Sequence, residues 1–138
     1  MMSFKTCLFI LFLGFTVPAY GWEGIAVHVS DSTHMTKEEC NSWHRERGWD
    51  SCGYNFVIEP DGTIYEGRGI SKVGAHVKGH NQELLGVCFV SKGPATMPQI
   101  RAFKAFLGQF GLERLPRYAH AHFNHSKRCG LEIMEQLK

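Results

Sequence analysis

The chain has 138 residues and a formal net charge of +2, with neither a basic run nor a basic helix face. This length favours a single domain, and the charge pattern lacks the electrostatic footprint expected for nucleic-acid binding. The chain also contains eight histidines and five cysteines, which is dense for its length. The composition therefore suggests metal binding, disulfide formation or both.

Residues 1–21 have the pattern of a secretory signal peptide. Lys5 supplies a positive charge, residues 8–13 begin an apolar run, and small residues precede a cleavage position after Gly21. The apolar run is shorter than the roughly 20 residues of a membrane-spanning helix, although an uncleaved anchor is the alternative. We expect a secreted or periplasmic domain of residues 22–138, without stable membrane insertion after cleavage.

The first elements of this domain alternate between strand and helix signals. Residues 24–30 are predicted to form a strand with alternate apolar residues on one face and His28 on the other. Thr36 and Glu39 match the S/T-x-x-E capping box, so a helix is predicted to run to about residue 47 and to stop at Gly48.

The remaining elements complete an α/β pattern. Residues 54–58 and 63–65 are predicted as a hairpin, and the continuous apolar run 84–90 as a central strand buried on both faces. A second helix is predicted from Pro98 to Gly111. Residues 118–123 could be a short strand or a loop, and a short C-terminal helix could follow at 131–137. The pattern predicts a mixed central β-sheet flanked by helices.

Metal-ligating residue types concentrate near the end of the chain. Residues 118–129 contain three histidines and Cys129, while His28 lies on the polar face of the first strand. A catalytic zinc site uses three protein ligands and leaves one position open, and two histidines with one cysteine are suitable ligands. The alternative is a set of exposed or hydrogen-bonded histidines on a polar loop.

Several motifs along the chain resemble, in order, those of the type 2 N-acetylmuramoyl-L-alanine amidases, a family that includes phage endolysins and the peptidoglycan recognition proteins of animals. Each motif is weak alone, but together they cover nearly the whole predicted domain. The matching segments are residues 27–30, 48–58, 61–62, 65–69, 73–76, 80–81, 86–90 and 127–129.

The resemblance implies a zinc site with one ligand on the first strand, a later histidine and a cysteine near the C-terminus. His28 and Cys129 match the first and last ligands. His120 is favoured over His122 as the middle ligand, because it fits the family's His-x-x-Phe pattern. One departure is Gly130, since a proline commonly follows the cysteine in the family.

The resemblance also suggests roles for residues around the zinc. Tyr54 and Lys127 match a family tyrosine and lysine that assist catalysis, by hydrogen bonding to a developing oxyanion or by transferring a proton. His76 is expected to contact the substrate. Arg68 is expected either to do the same or to be structural, paired with Glu66 or with a backbone carbonyl. A solvated lysine and a packed tyrosine are the alternatives for Lys127 and Tyr54.

The four cysteines of the predicted domain are expected to have different chemical roles. Cys129 is the implied metal ligand, and Cys88, inside the apolar run, is expected to behave as a small hydrophobe. Cys40 and Cys52 flank the first helix and the next strand, and they could form a disulfide.

The activity implied by the resemblance is zinc-dependent hydrolysis of the amide between N-acetylmuramic acid and L-alanine in bacterial peptidoglycan, by a monomer. A non-catalytic peptidoglycan-binding module is the main alternative. A small secreted protein with a structural zinc is another, and it would require a fourth ligand such as His122 or His125.

Overall fold

Residues 21–125 and 128–138 are described by a computed structural model, and residues 1–20, most of the predicted signal peptide, lie outside this part of the chain. The elements form a single α/β domain. The strands are β1 (Gly24–Val29), β2 (Phe56–Ile58), β3 (Ile64–Glu66), β4 (Leu84–Phe89) and β5 (Arg117–Ala119), and the helices are α1 (Lys37–Glu46), α2 (Met97–Phe110) and α3 (Leu131–Gln136).

The five strands make one mixed sheet in the order β3-β2-β4-β1-β5. β4 pairs in parallel with β1 and β2, β1 pairs in parallel with β5, and β2 and β3 form the antiparallel hairpin. All six residues of β4 are buried, which confirms the prediction that the apolar run is a central strand. In the register of β1 and β4, His28 lies opposite Cys88.

The helix ends follow from local sequence. The Thr36–Glu39 capping box is present at the start of α1, as predicted, and Gly48 has a left-handed φ of 84° just beyond its end. α2 begins with a second capping box, formed by Thr96 and Gln99, which the sequence analysis did not single out. Gly111 ends α2 in the left-handed conformation, also as predicted.

The two faces of the sheet have different coverings. Alternate residues of β1, β2 and β4 pack against α2 and α3, where Phe103 and Ile133 are fully buried. The opposite face carries Val57 and Cys88, which pack with Cys40 of α1. His28 points to this second face. None of the helices in the described part of the chain reaches the length and apolarity needed to cross a bilayer.

Candidate active site

His28 lies near the end of β1 and is almost fully buried, with 2% of its surface exposed. Its ring is surrounded by other aromatic rings: the centroid of Tyr54 is 5.1 Å away, that of His76 is 5.0 Å away and that of His120 is 4.5 Å away. Burial lowers the pKa of His28 well below its ordinary value, and the neighbouring His76 and His120 lower it further. His28 is therefore neutral at neutral pH, as a metal ligand must be.

His120 reaches the same place from a 3₁₀ turn, His120–His122, that directly follows β5. The sequence analysis left residues 118–123 open as a short strand or a loop, and the structure has a strand only to Ala119. On the 3₁₀ turn that follows, residues two apart point in different directions, so His120 and His122 do not face the same way. The His122 ring instead packs against Tyr118 and Phe123, at centroid distances of 5.4 and 4.9 Å.

Cys129 is held against β1 by backbone contacts. The Val29 N–H donates to its Sγ at 3.3 Å, and the Ala121 N–H donates to its carbonyl at 3.0 Å. The following residue, Gly130, has a φ of 85°, and a Cβ there would lie 2.3 Å from the Val27 carbonyl oxygen. A proline could not adopt this φ. The local geometry therefore explains why the chain departs here from the family's Cys-Pro.

Together His28, His120 and Cys129 bring their ligand atoms within 4.8 Å of one another. Two imidazoles and one thiol outside any disulfide match the donor set of a catalytic zinc site with three protein ligands. Within the described residues, this group has no fourth metal-ligating side chain. The donors present therefore fit a zinc ion that keeps one position open.

A second group of similar donors lies in α1 and the loop that follows it. Cys40, His44 and Cys52 also place their ligand atoms within 4.8 Å of one another, but the two cysteines form a disulfide. The Nδ1 atom of His44 accepts the Gly53 N–H at 2.6 Å. The structure thus contains the disulfide that the sequence left as one option, while Cys88 is a buried thiol.

Tyr54 lies between the two groups of donors. Its ring centroid is 5.1 Å from that of His28 and 5.2 Å from that of His44. Burial raises the pKa of the Tyr54 phenol well above its ordinary value, and Cys88 and Cys129 raise it further. The hydroxyl therefore remains protonated and able to donate. Lys127, the other predicted catalytic residue, lies outside the described residues.

The two predicted substrate contacts have different surroundings. The Arg68 guanidinium donates to the carbonyls of Cys52 and Val73, at 3.3 and 3.2 Å, and it does not line the cavity above the candidate metal ligands. His76 borders that cavity but is 9% exposed. Its Nδ1 is 2.9 Å from His28 Nε2 and its Nε2 is 3.0 Å from the Leu84 carbonyl oxygen.

The cavity above the three candidate ligands, which we call the groove, has a volume of about 710 Å³. Charged side chains on its walls were not singled out by the sequence analysis, because they come from four separate segments. Their only sequence signal was proximity to the motifs: Arg47 is next to Gly48, and Arg128 is next to Cys129. The charged residues lining the groove are Asp31, Arg47, Lys92, Arg128 and Glu132.

Comparison with known proteins identifies the family. The profile of the N-acetylmuramoyl-L-alanine amidase family matches residues 19–130. The chain belongs to this family. It is 37% identical to an endolysin of Klebsiella phage KP32 over 110 residues, covering 71% of this chain and 72% of the relative. The endolysin of Enterobacteria phage T3 is 44% identical over 71 residues, 49% of this chain, and the match spans only 47% of that relative's length.

Solved structures agree with this assignment and with the predicted fold class. The N-acetylmuramoyl-L-alanine amidase LysC of Clostridium intestinale superposes with a TM-score of 0.66 at 27% identity, covering 80% of this chain and 78% of that chain. A peptidoglycan recognition protein, PGRP-LE, solved in complex with tracheal cytotoxin, superposes with a TM-score of 0.70 at 26% identity, covering 79% of this chain and 74% of that chain.

Proposed function

We propose that this amidase-family domain is a zinc-dependent hydrolase that cleaves the amide bond between N-acetylmuramic acid and L-alanine in bacterial peptidoglycan. The observation that carries the proposal is the convergence of His28, His120 and Cys129 at the groove, with ligand atoms within 4.8 Å. Family membership makes amide hydrolysis the reaction to test.

The roles proposed for the chain's own residues follow from amide chemistry. His28, His120 and Cys129 would hold the zinc. When bound, zinc supplies a Lewis acid that polarises a carbonyl and lowers the pKa of water to about 7. Tyr54 and Lys127 would donate hydrogen bonds to the oxyanion that develops on the amide carbonyl, or pass a proton to the leaving amine.

The groove supports a muramyl peptide as the ligand. Arg47, Lys92 and Arg128 on its walls complement the carboxylates of a peptide stem, while Asp31 and Glu132 offer acceptors for amides and hydroxyls. PGRP-LE, which shares the fold, was solved with a monomeric peptidoglycan of the diaminopimelic acid type. We propose that peptidoglycan occupies the corresponding groove here.

The deciding experiment is digestion of purified peptidoglycan followed by mass spectrometry. We expect free L-alanine amino termini and intact glycan strands, loss of activity with a chelator, and recovery on addition of zinc. New reducing sugar ends without new amines would indicate a glycosidase and contradict the proposal. A heat-inactivated sample and a Cys129→Ala variant are the matched controls.

A non-catalytic peptidoglycan-binding module is the second candidate, since the family also includes animal recognition proteins. In that case the chain would co-sediment with insoluble peptidoglycan and release no amines, with or without zinc. The presence of Cys129 beside His28 and His120 favours the hydrolase. A structural zinc is less favoured, because His122 packs against Tyr118 and Phe123 instead of joining the ligand group.

Export and a monomeric state are further parts of the proposal. We propose that residues 1–21 are removed, so that the exported domain begins at Trp22, whose side chain is buried and donates to the Ile70 carbonyl at 2.9 Å. N-terminal sequencing of exported protein should begin at Trp22, whereas an intact Met1 would indicate an anchor. Light scattering should give the mass of one chain.

A further inference from the structure

His76, which is not one of the three candidate metal ligands, shares a hydrogen bond with His28. The Nε2 atom of His28 lies 2.9 Å from Nδ1 of His76, and the two rings meet edge to face at 84°. Both side chains are buried, with 2% and 9% of their surfaces exposed. One nitrogen must donate and the other accept, and the next contact along the chain of hydrogen bonds decides which.

The Leu84 carbonyl fixes the direction of this chain. Its oxygen lies 3.0 Å from Nε2 of His76, and a carbonyl oxygen can only accept, so Nε2 must carry the hydrogen. In a neutral imidazole the other nitrogen then has a lone pair. Nδ1 of His76 therefore accepts from Nε2–H of His28, which leaves Nδ1 of His28 as its only nitrogen with a lone pair for a metal.

The ring of His76 is fixed in place by its surroundings. A Cβ on Gly86, in the middle of β4, would lie 2.5 Å from the His76 ring, and one on Gly74 would lie 2.6 Å from it. Because both positions are glycine, there is room between them for the imidazole. The backbone is anchored too, because the Asn81 Oδ1 atom accepts from the N–H of His76 and of Val77, both at 2.8 Å.

We propose that His76 is a positioning residue that holds His28 in its Nε2–H tautomer and so directs Nδ1 of His28 to the metal. This inference rests on the proposed zinc site. It assigns His76 a role different from the substrate contact expected from the sequence, because both of its ring nitrogens already have partners. Metal-ligating histidines generally depend on such a partner for orientation and basicity.

Nuclear magnetic resonance tests the proposal without any variant. In the ¹⁵N-labelled, zinc-free domain, long-range ¹H–¹⁵N spectra should show His28 as the Nε2–H tautomer and His76 as the Nε2–H tautomer. After loading with ¹¹³Cd²⁺, the metal should couple to Nδ1 of His28. An Nδ1–H tautomer of His28, or coupling of cadmium to its Nε2, would overturn the proposal.

Variants at His76 then measure its effect on metal affinity. His76→Ala should weaken zinc binding, measured by competition with a chromophoric chelator, by about 10- to 100-fold, and it should leave His28 in a mixture of tautomers. His76→Gln retains one acceptor and one donor, so it should recover part of the affinity and keep the far-ultraviolet spectrum of the wild type. The matched control is His34→Ala, since His34 is exposed and pairs with Glu39; the zinc affinity of this variant should not change.

The outcomes distinguish this proposal from the proposed function. A folded His76→Ala variant with wild-type zinc affinity and a single Nε2–H tautomer of His28 would refute the positioning role. These measurements use metal alone, so the absence of peptidoglycan cleavage would count against the proposed activity and leave the tautomer result standing.

Discussion

Two clusters in the described part of the molecule contain the same kinds of donor close together, and only one suits a metal. The first is His28, His120 and Cys129, and the second is Cys40, His44 and Cys52; each keeps its ligand atoms within 4.8 Å. In the first, the only cysteine is outside any disulfide and the cluster lines the groove. In the second, both thiols are consumed by one disulfide.

The difference teaches that donor type and proximity do not define a metal site. The second cluster comes from α1 and the loop after it, and its cysteines are only 12 positions apart in the sequence, so a disulfide closes it locally. The first combines His28 of β1 with His120 on the 3₁₀ turn and Cys129 just before α3, which are far apart in the sequence, and Cys129 is the one cysteine in this cluster. Because the cluster contains no second thiol, no disulfide can form within it.

The largest expected effect is on the groove cluster. His120→Ala should lose zinc, with an affinity loss above the roughly 100-fold typical of a supporting residue, and peptidoglycan hydrolysis should fall to background. His122→Ala is the matched control and should keep its zinc, because His122 packs against Tyr118 and Phe123. Metal analysis of both purified variants checks this. Zinc lost from His122→Ala and kept by His120→Ala would contradict the ligand set.

Next in size is the effect of the two proposed catalytic residues. Tyr54→Phe and Lys127→Ala should each lower turnover by about a hundredfold or more, as expected for the loss of one oxyanion donor, with zinc content unchanged. Turnover is measured as amines released from peptidoglycan. Lys104→Ala, on the exposed face of α2, should retain full activity. If Lys127→Ala does the same, Lys127 is only a solvated side chain.

Opening the disulfide cluster should affect stability and not zinc binding. The Cys40→Ser, Cys52→Ser double variant should lose about 3 kcal/mol of unfolding free energy, the value expected for a loop of this length. Denaturant unfolding measures the loss, and the wild type under reducing conditions should behave like the variant. Zinc binding to the reduced wild type at a ratio of two per chain would show that the second cluster is also a metal site.

The smallest effect is a pH dependence from His44. Burial, together with the positive charges of Arg47 and Arg68, lowers its pKa to about 4, against about 6.5 in an unfolded chain. As the pH falls, His44 is therefore protonated in the unfolded state before it is protonated in the folded state. The contribution of neutral His44 to the unfolding free energy is complete above about pH 6.5 and is lost as the pH falls toward 4. His44→Gln should reduce the slope of the unfolding free energy across that window, while the lowered pKa values of His28 and His76 maintain the rest of it. Parallel profiles for the two proteins would refute a contribution from His44.

Features set by neighbouring residues were predictable from the sequence. The capping box at Thr36, the turn at Gly111 and the burial of β4 each depend on a few adjacent side chains. The alternation of β1 placed His28 on the face away from α2, because strand periodicity leaves no other choice.

Features set by distant contacts were not predictable. The direction of His122 depends on whether the chain after β5 is extended or a 3₁₀ turn, and nothing in the local sequence decides between them. The environment of His76 depends on Gly86, ten positions along the chain and on another element. Family motifs brought these residues to attention, but only the three-dimensional arrangement shows which atoms meet.

The parallel pairing of β1 with β5 links the proposed metal site to the completion of folding. β1 is near the start of the domain, yet one of its neighbours in the sheet is β5, residues 117–119. The Val29 N–H also donates to Cys129, which is 100 positions further along the chain. Contacts of such high sequence separation form late and slowly, because a long loop must close before they stabilise anything. A nascent or truncated chain that ends before β5 would carry His28 but neither His120 nor Cys129. The proposed metal site is therefore complete only when the segment after β5 is also in place.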